Sequence, residues 1–286
     1  MRIVFPVVAG GRDVIVELSG GEVAGLADAI AALHATGSVT ADAAGPPDLV
    51  VRSSAQGFEI DEATTTERFG DRADFVSHLE MRISEAVLGR ATGRLHVHAA
   101  GLALNAGCAL VLGDSGAGKS SLSLAWSLGG RPLLGDDVVL VAPGGRAEAH
   151  PRPVKVDTER LTAIGLPPES TLEYDPRVDE VWVDPTRHGG WVEGSIPIRL
   201  LAVGRFVRGA PAAGSARPLP TTDALQALLR SVTGSGGVAA EDVLDRAIGV
   251  VERARTVTIR FGSSRAATDT IEAALRDACS PGSSTS

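Results

Sequence analysis

The 286-residue chain reads as an α/β protein in which a mixed sheet is flanked by helices and preceded by a β-rich N-terminal part. Three observations predict this. After about residue 93, short apolar strands alternate with helical stretches. A glycine-rich run matching G-x-x-x-x-G-K-S/T lies between one such strand, CALVLG, and one such helix, SSLSLAWSL. Before residue 92, β-branched runs punctuated by turn residues recur at short intervals. The division predicted is a β-rich part with two helices over 1–92, a main domain over 93–278 and a disordered tail over 279–286, CSPGSSTS.

Taken in order, RIVFPVV and DVIVEL form a hairpin joined through Gly10 and Gly11. Val23, Leu26, Ile30 and Leu33 recur at helical spacing, predicting a helix over about 22–35. Gly37 to Asp48 reads as a loop, and DLVVRSS, GFEID and TTTERF as short strands. Phe75, Leu79, Ile83 and Val87 form one stripe of a helix over about 73–91. HAAGLAL and CALVLG then make two strands turning at Asn105-Ala106-Gly107, and SSLSLAWSL is a helix stopped by Gly129 and Gly130. PLLGDDVVLVA is a strand interrupted by its acidic pair. The stretch 143–195 reads as loop-rich, and within it 173–193 is long enough for a lid or an ordered surface loop around two tryptophans. IRLLAVGRFV is a buried strand, and TDALQALLRSV is a capped helix between two breaks, GAPAAGSARPLP and TGSGG.

Composition narrows the function. Hydrophobic residues make up 44% and charged residues 22%, the balance of an ordinary globular chain. The formal charge of −8 argues against gripping a nucleic-acid backbone. The N-terminal apolar run is too short for a signal peptide, and no run of 18 apolar residues could span a membrane. Two cysteines, Cys108 and Cys279, fit a reducing cytoplasm, with Cys108 a buried small hydrophobe. Of 27 basic residues only two, Lys119 and Lys155, are lysines. A chain that otherwise uses arginine has kept lysine where a compact ammonium suits the chemistry.

Gly113, Asp114, Ser115, Gly116, Ala117, Gly118, Lys119, Ser120 and Ser121 form the glycine-rich run. Glycines let the backbone close around phosphate oxygens so that successive N–H groups point at negative charge. The helix that follows adds its positive end. Lys119 supplies a cation to the β- and γ-phosphates, and the Ser120 hydroxyl suits Mg²⁺. Asp136 and Asp137 follow 17 and 18 residues after Lys119, one short helix away. Two carboxylates there suit a metal ligand and a proton acceptor, one each. His98 would come level with the loop if HAAGLAL pairs antiparallel with CALVLG, with His96 two residues earlier on the same face. Glu148 and Glu193 are alternative further metal ligands.

The segment from Arg94 to Ala142 resembles the catalytic core of HPr kinase/phosphorylase. That family carries a histidine at the same offset before a G-D-S-G-x-G-K-S loop, then an Asp-Asp pair after a short helix. The resemblance implies the P-loop core shared with phosphoenolpyruvate carboxykinase, ATP held by Gly113–Ser121 and Mg²⁺ held by Ser120 and Asp137. It assigns Asp136, His98 and Lys119 to catalysis. The glycine-rich, glutamate-bearing stretch that follows the Asp pair in HPr kinases has no counterpart here. The chain is closer to HPr-kinase-related proteins of biosynthetic clusters, in which a P-R-P-x-K segment follows the acidic strand. Here that segment makes Arg152 and Lys155 phosphate or substrate contacts.

The function expected is therefore a cytoplasmic Mg-ATP-dependent kinase acting on a hydroxyl, foremost a serine of a peptide or small protein. A small-molecule acceptor, or an ATPase or regulatory switch without an acceptor, are the alternatives. Neither nucleic acid nor membrane is an expected partner, and a homo-oligomer is compatible with the sequence.

Overall fold

The computed structural model describes residues 1–7, 12–25, 27–32, 38–40, 43–105, 107–166, 171–175, 179–207 and 214–280. The Gly10-Gly11 turn, Leu26, Leu33, Ala106, residues 208–213 and the tail from 281 onward lie outside the described residues.

Alternating apolar residues build the N-terminal part. Strands β1 (Arg2–Phe5), β2 (Val14–Ser19), β3 (Ser38–Thr40), β4 (Leu49–Ser54), β5 (Gly57–Glu62) and β6 (Thr65–Phe69) form one sheet, in the order β3-β1-β2-β4-β5-β6. Only the β2–β4 pair is parallel. The described residues of the predicted first helix are helical over α1 (Gly21–Gly25) and α2 (Ala27–Ala32), and β3 adds a strand inside the expected loop. Helix α3 (Arg72–Arg90) starts at Asp71, whose side chain accepts from the N–H groups of Ala73 and Asp74. Its stripe of Phe75, Leu79, Ile83 and Val87 is buried against Ile3, Phe5, Val16 and Val51. Phe75 stacks on Phe58 with ring centroids 4.5 Å apart.

The main sheet begins with β7 (Leu95–His98), β8 (Ala100–Leu104) and β9 (Gly107–Leu112). HAAGLAL is thus not one strand, because the chain breaks at Ala99 between β7 and β8. After helix α4 (Lys119–Leu128) come β10 (Leu133–Gly135), β11 (Val138–Ala142) and β12 (Arg146–Glu148), with the acidic pair in the gap between β10 and β11. The middle segment then adds β13 (Val154–Asp157), α5 (Thr158–Ile164), β14 (Thr171–Asp175) and β15 (Glu180–Val183). The C-terminal elements are β16 (Ser195–Phe206), β17 (Ser215–Pro218), α6 (Thr221–Arg230), β18 (Val232–Gly234), α7 (Ala240–Arg253), β19 (Arg255–Phe261) and α8 (Ser264–Cys279).

The order in this sheet is β10-β8-β9-β16-β12-β11-β7-β18, with β19 alongside β16 and β17 beside β19. Strand β16 is the spine. Its first residues pair antiparallel with β12, and the rest pairs in parallel with β9 on one side and β19 on the other. A register shift between Ile198 and Leu200 accommodates the change of partners. Strand β9 is apolar throughout because both of its faces are covered. Ala109 and Val111 face a core shared with α4 and α8, whereas Cys108, Leu110 and Leu112 face α6 and α7.

Several expectations need correction here. The region 143–195 is not mainly loop, because β13, β15 and β14 form a small sheet of their own. The 173–193 stretch contributes β15 and part of β14 to that sheet, and Trp182 is buried in the N-terminal core among residues such as Phe75 and Leu79. Helix α6 is preceded by Pro220 and has no side-chain cap. Strand β17 lies inside the first expected break, β18 overlaps the second, and Cys279, expected in the disordered tail, is the last residue of α8. Among the described residues no helix is long and apolar enough to cross a membrane.

Trp182 carries the main domain into the N-terminal core, so its truncation should loosen both. Trp182→Ala is expected to cost about 4 kcal/mol in urea unfolding, with the two parts losing structure in one transition.

Candidate functional site

The glycine-rich run joins β9 to α4, the strand–loop–helix order that its chemistry requires. Two glycines are dictated by geometry. Gly118 caps α4 with φ of 90°, a left-handed conformation that costs glycine nothing. At Gly113 a Cβ would lie 2.8 Å from the Gly204 carbonyl oxygen and 2.9 Å from Ala117 Cβ, so the loop base has no room for a side chain. Asp114, Ser115 and Gly116 are exposed at the rim, while Ser121 is buried in the first turn of α4. The amides of that turn have no intrahelical partners and are free for an anion.

Lys119 is buried and lies folded over the loop, where Nζ donates to the carbonyls of Gly113 at 2.7 Å and Asp114 at 3.2 Å. Burial holds its pKa below the ordinary lysine value, opposed by the charges of Asp137, Asp136 and Asp114. The ammonium therefore sits within electrostatic reach of both members of the acidic pair.

The two aspartates differ sharply. Asp137 is half exposed and forms an ion pair with His98, whose Nδ1 lies 2.8 Å from Oδ1. The same nitrogen is 3.0 Å from the Asp137 carbonyl oxygen. This contact comes from strand register, since His98 at the end of β7 pairs with Val138 at the start of β11. The Asp137 hydrogen bond raises the His98 pKa against burial and the Lys119 charge. In return the bond from His98 lowers the Asp137 pKa, with Arg152 assisting.

Asp136 turns inward. Burial pushes its pKa up to about 6, against the pull of the Ser123 and Ser120 hydroxyls, and the charge of Asp137 adds to the rise. Those hydroxyls neighbour the carboxylate without completing its bonding. Asp136 Oδ1 and Ser123 Oγ are both sealed from solvent and lack hydrogen-bond partners. A carboxylate oxygen left in this state has capacity to accept a further donor or a cation. Among the described residues no three His, Cys, Asp or Glu side chains converge on one point. A divalent ion here would therefore be held as Mg²⁺ usually is, by a carboxylate, the Ser120 hydroxyl, phosphate oxygens and water. The donor set fits that ion.

Arg152 and Lys155 reach the site's edge but are already occupied. Arg152 forks onto Glu80 through Nε at 2.8 Å and Nη2 at 3.0 Å, and its Nη1 lies 3.2 Å from Asp137 Oδ2. Lys155 donates to Glu80 Oε2 at 2.7 Å and lies 4.2 Å from the centre of the Trp182 ring. Arg152 thus orients Asp137 from behind, and Lys155 is engaged by Glu80 and the Trp182 ring. Glu80 is the residue that sequence reasoning missed. The signal was present in α3: Val76, Glu80 and Ser84 form a second row at four-residue spacing beside the apolar stripe. Both polar members are buried, Glu80 with 1% exposure, and Ser84 bonds His150 Nε2 at 2.9 Å.

The other candidates lie apart from the loop. His96 packs against Gly234 of β18, and burial lowers its pKa. Glu148 is clamped by Arg94 at 3.0 and 3.2 Å, and Glu193 is exposed. His98 meets Asp137 rather than Asp136, the aspartate that the resemblance groups with it.

No family model matches this chain, and no curated protein is a significant match to it.

Two outcomes follow from these charges. Burial raises the Glu80 pKa and Arg152 and Lys155 lower it, with a net fall below the ordinary value. The stability it contributes is then complete above the ordinary carboxylate pKa and is lost as pH falls through the lower folded value. Glu80→Gln should flatten that acid limb in melting curves taken from pH 6 to 3, and Glu80→Ala should cost about 3 kcal/mol at pH 7 by leaving two cations unpaired. Asp136 has the opposite sign, because its raised pKa costs stability as pH climbs from the ordinary value through about 6. Without divalent ions, Asp136→Asn should therefore unfold later than the native chain at pH 7.5, by roughly 1–2 kcal/mol, and the gain should vanish near pH 4.

Proposed function

We propose that this protein is an ATP-dependent phosphotransferase of the HPr-kinase-related type, moving the γ-phosphoryl group to a hydroxyl, foremost a serine of a peptide or small protein. The observation that carries this reading is the His98–Asp137 pair beside the loop lysine. A module that only binds nucleotide has no use for a proton-handling pair there, whereas a transferase has.

The loop amides and Lys119 would bind and orient the triphosphate, and the buried first turn of α4 would keep that geometry fixed. Mg²⁺ would be held by Ser120 and Asp136, and it would neutralise charge on the phosphate oxygens. The half-exposed Asp137 would then accept the proton of the incoming hydroxyl. A depressed pKa does not disqualify it, because phosphoryl transfer is largely dissociative and asks more for orientation than for a strong base. His98 would hold Asp137 in place through Nδ1, leaving Nε2 to exchange the proton. Arg152, fixed by Glu80, would keep the other carboxylate oxygen from turning away.

This assignment interchanges the two aspartates relative to the expectation from sequence, on the ground of their surroundings. Asp136 turns inward toward Ser120 and Ser123 with Oδ1 unpaired, and Asp137 is outward and paired with an imidazole.

The test is mass spectrometry of serine-containing peptides after incubation with Mg-ATP. A phosphoryl mass gain is expected, lowered at least a hundredfold in Asp137→Asn and lost in Lys119→Ala. Asp136→Asn should instead raise the Mg²⁺ concentration needed for half-maximal rate. Release of ADP with every acceptor unmodified would replace the kinase reading with an ATPase or switch.

A further inference from the structure

We infer that Phe206, at the C-terminal end of β16, is the platform on which the base of a bound nucleotide stacks. The inference rests on the nucleotide reading of the loop and extends it to the end of the ligand remote from the chemistry.

Strand β9, which feeds the loop, has two neighbours, β8 and β16. His98, Asp136 and Asp137 sit on the strand connections of the β8 side, between β7 and β8 and between β10 and β11. A polyphosphate whose reacting end faces those groups has β16 and β19 on its other side. Ligands of parallel sheets lie outside the carboxyl ends of the strands, and here those ends are Phe206 and Phe261, paired across from one another.

What stands there is aromatic and partly open. Phe206 is 43% exposed and Val207 36%, two of the few large apolar side chains left to solvent among the described residues. With six phenylalanines in the whole sequence, an exposed one is a conspicuous use of a scarce residue. Phe206 is also held firmly. Its N–H donates to the Ala117 carbonyl inside the loop at 3.3 Å, and the next residue's N–H donates to the Phe261 carbonyl at 2.9 Å. Its ring meets the buried Phe261 ring edge-on, with centroids 6.2 Å apart and planes at 63°. A Cβ built on Gly118 would lie 3.5 Å from Phe206 Cβ and 3.3 Å from Phe261 Cε2. The Phe261 ring and the Phe206 Cβ therefore back the last glycine of the loop, and Phe206 remains partly open to solvent. A flat π-surface at that point takes any purine or pyrimidine with little discrimination by hydrogen bonding.

The experiment separates base from phosphate. Binding of ATP and of inorganic tripolyphosphate, each with Mg²⁺, is measured by calorimetry for the native chain, Phe206→Ala and Phe206→Trp. ATP should bind the native chain more tightly than tripolyphosphate does. Phe206→Ala should weaken ATP about tenfold and leave tripolyphosphate unchanged, which also shows that the loop remains folded. Phe206→Trp should restore ATP binding. Equal loss of both ligands in Phe206→Ala, or no loss of ATP, would overturn the platform while leaving the nucleotide reading intact. If the native chain binds neither ligand, the nucleotide reading itself fails and the platform falls with it.

Discussion

Glu80 lies where water does not reach, so its charge has to be balanced by the protein around it. Arg152 and Lys155 supply that balance from the segment that follows β12, and Arg152 passes the constraint on to Asp137. A buried ion cluster of this kind adds little net stability, because desolvation offsets most of the attraction. Its contribution is positional. Each cation has one low-energy place, and the carboxylate that sets it belongs to a helix of the N-terminal part. Trp182 makes the same connection in the other direction, entering the N-terminal core while its ring lies under Lys155. The N-terminal sheet is therefore part of the support of the site and not a separate attachment.

Around the loop the electrostatics are uneven. One aspartate is satisfied by an imidazole and a guanidinium, and its neighbour is buried with an oxygen unpaired. Two adjacent carboxylates in one environment would titrate together and could not divide two tasks. Strand register separates them here. The gap between β10 and β11 lets consecutive side chains take opposite directions, so Asp136 faces α4 and Asp137 faces the end of β7. Lys119 meanwhile is bonded to the carbonyls of its own loop. The arrangement is that of a site whose positive and negative groups are held ready but incompletely neutralised.

The large sheet explains why the loop is rigid enough to carry this arrangement. Strand β9 is covered on both faces and paired on both edges, and β16 binds the two halves of the sheet together. Rigid strands with the chemistry placed in the turns at their ends is the usual economy of α/β proteins.

Local patterns were legible in the sequence because they depend on neighbours along the chain. The stripe of α3, the apolar run of β9, the glycines of the loop and the stop of α4 at Gly129 all follow from periodicity or backbone sterics, and the α/β class follows from their alternation. The convergence of His98, the acidic pair and the loop was legible only in outline. Which aspartate meets His98 depends on the pairing of β7 with β11, across a chain break at Ala99 that no residue pattern announces. The middle sheet was hidden because its strands are short and lie in a proline- and charge-rich stretch without a clear alternating pattern. Glu80 was hidden for a different reason: an acidic residue on a helix reads as solvated until the segment that covers it is known, and that segment lies 72 residues away. Sequence determined the elements and the chemistry available to them; tertiary structure alone decided which charges share a buried space, because that is set by long-range packing.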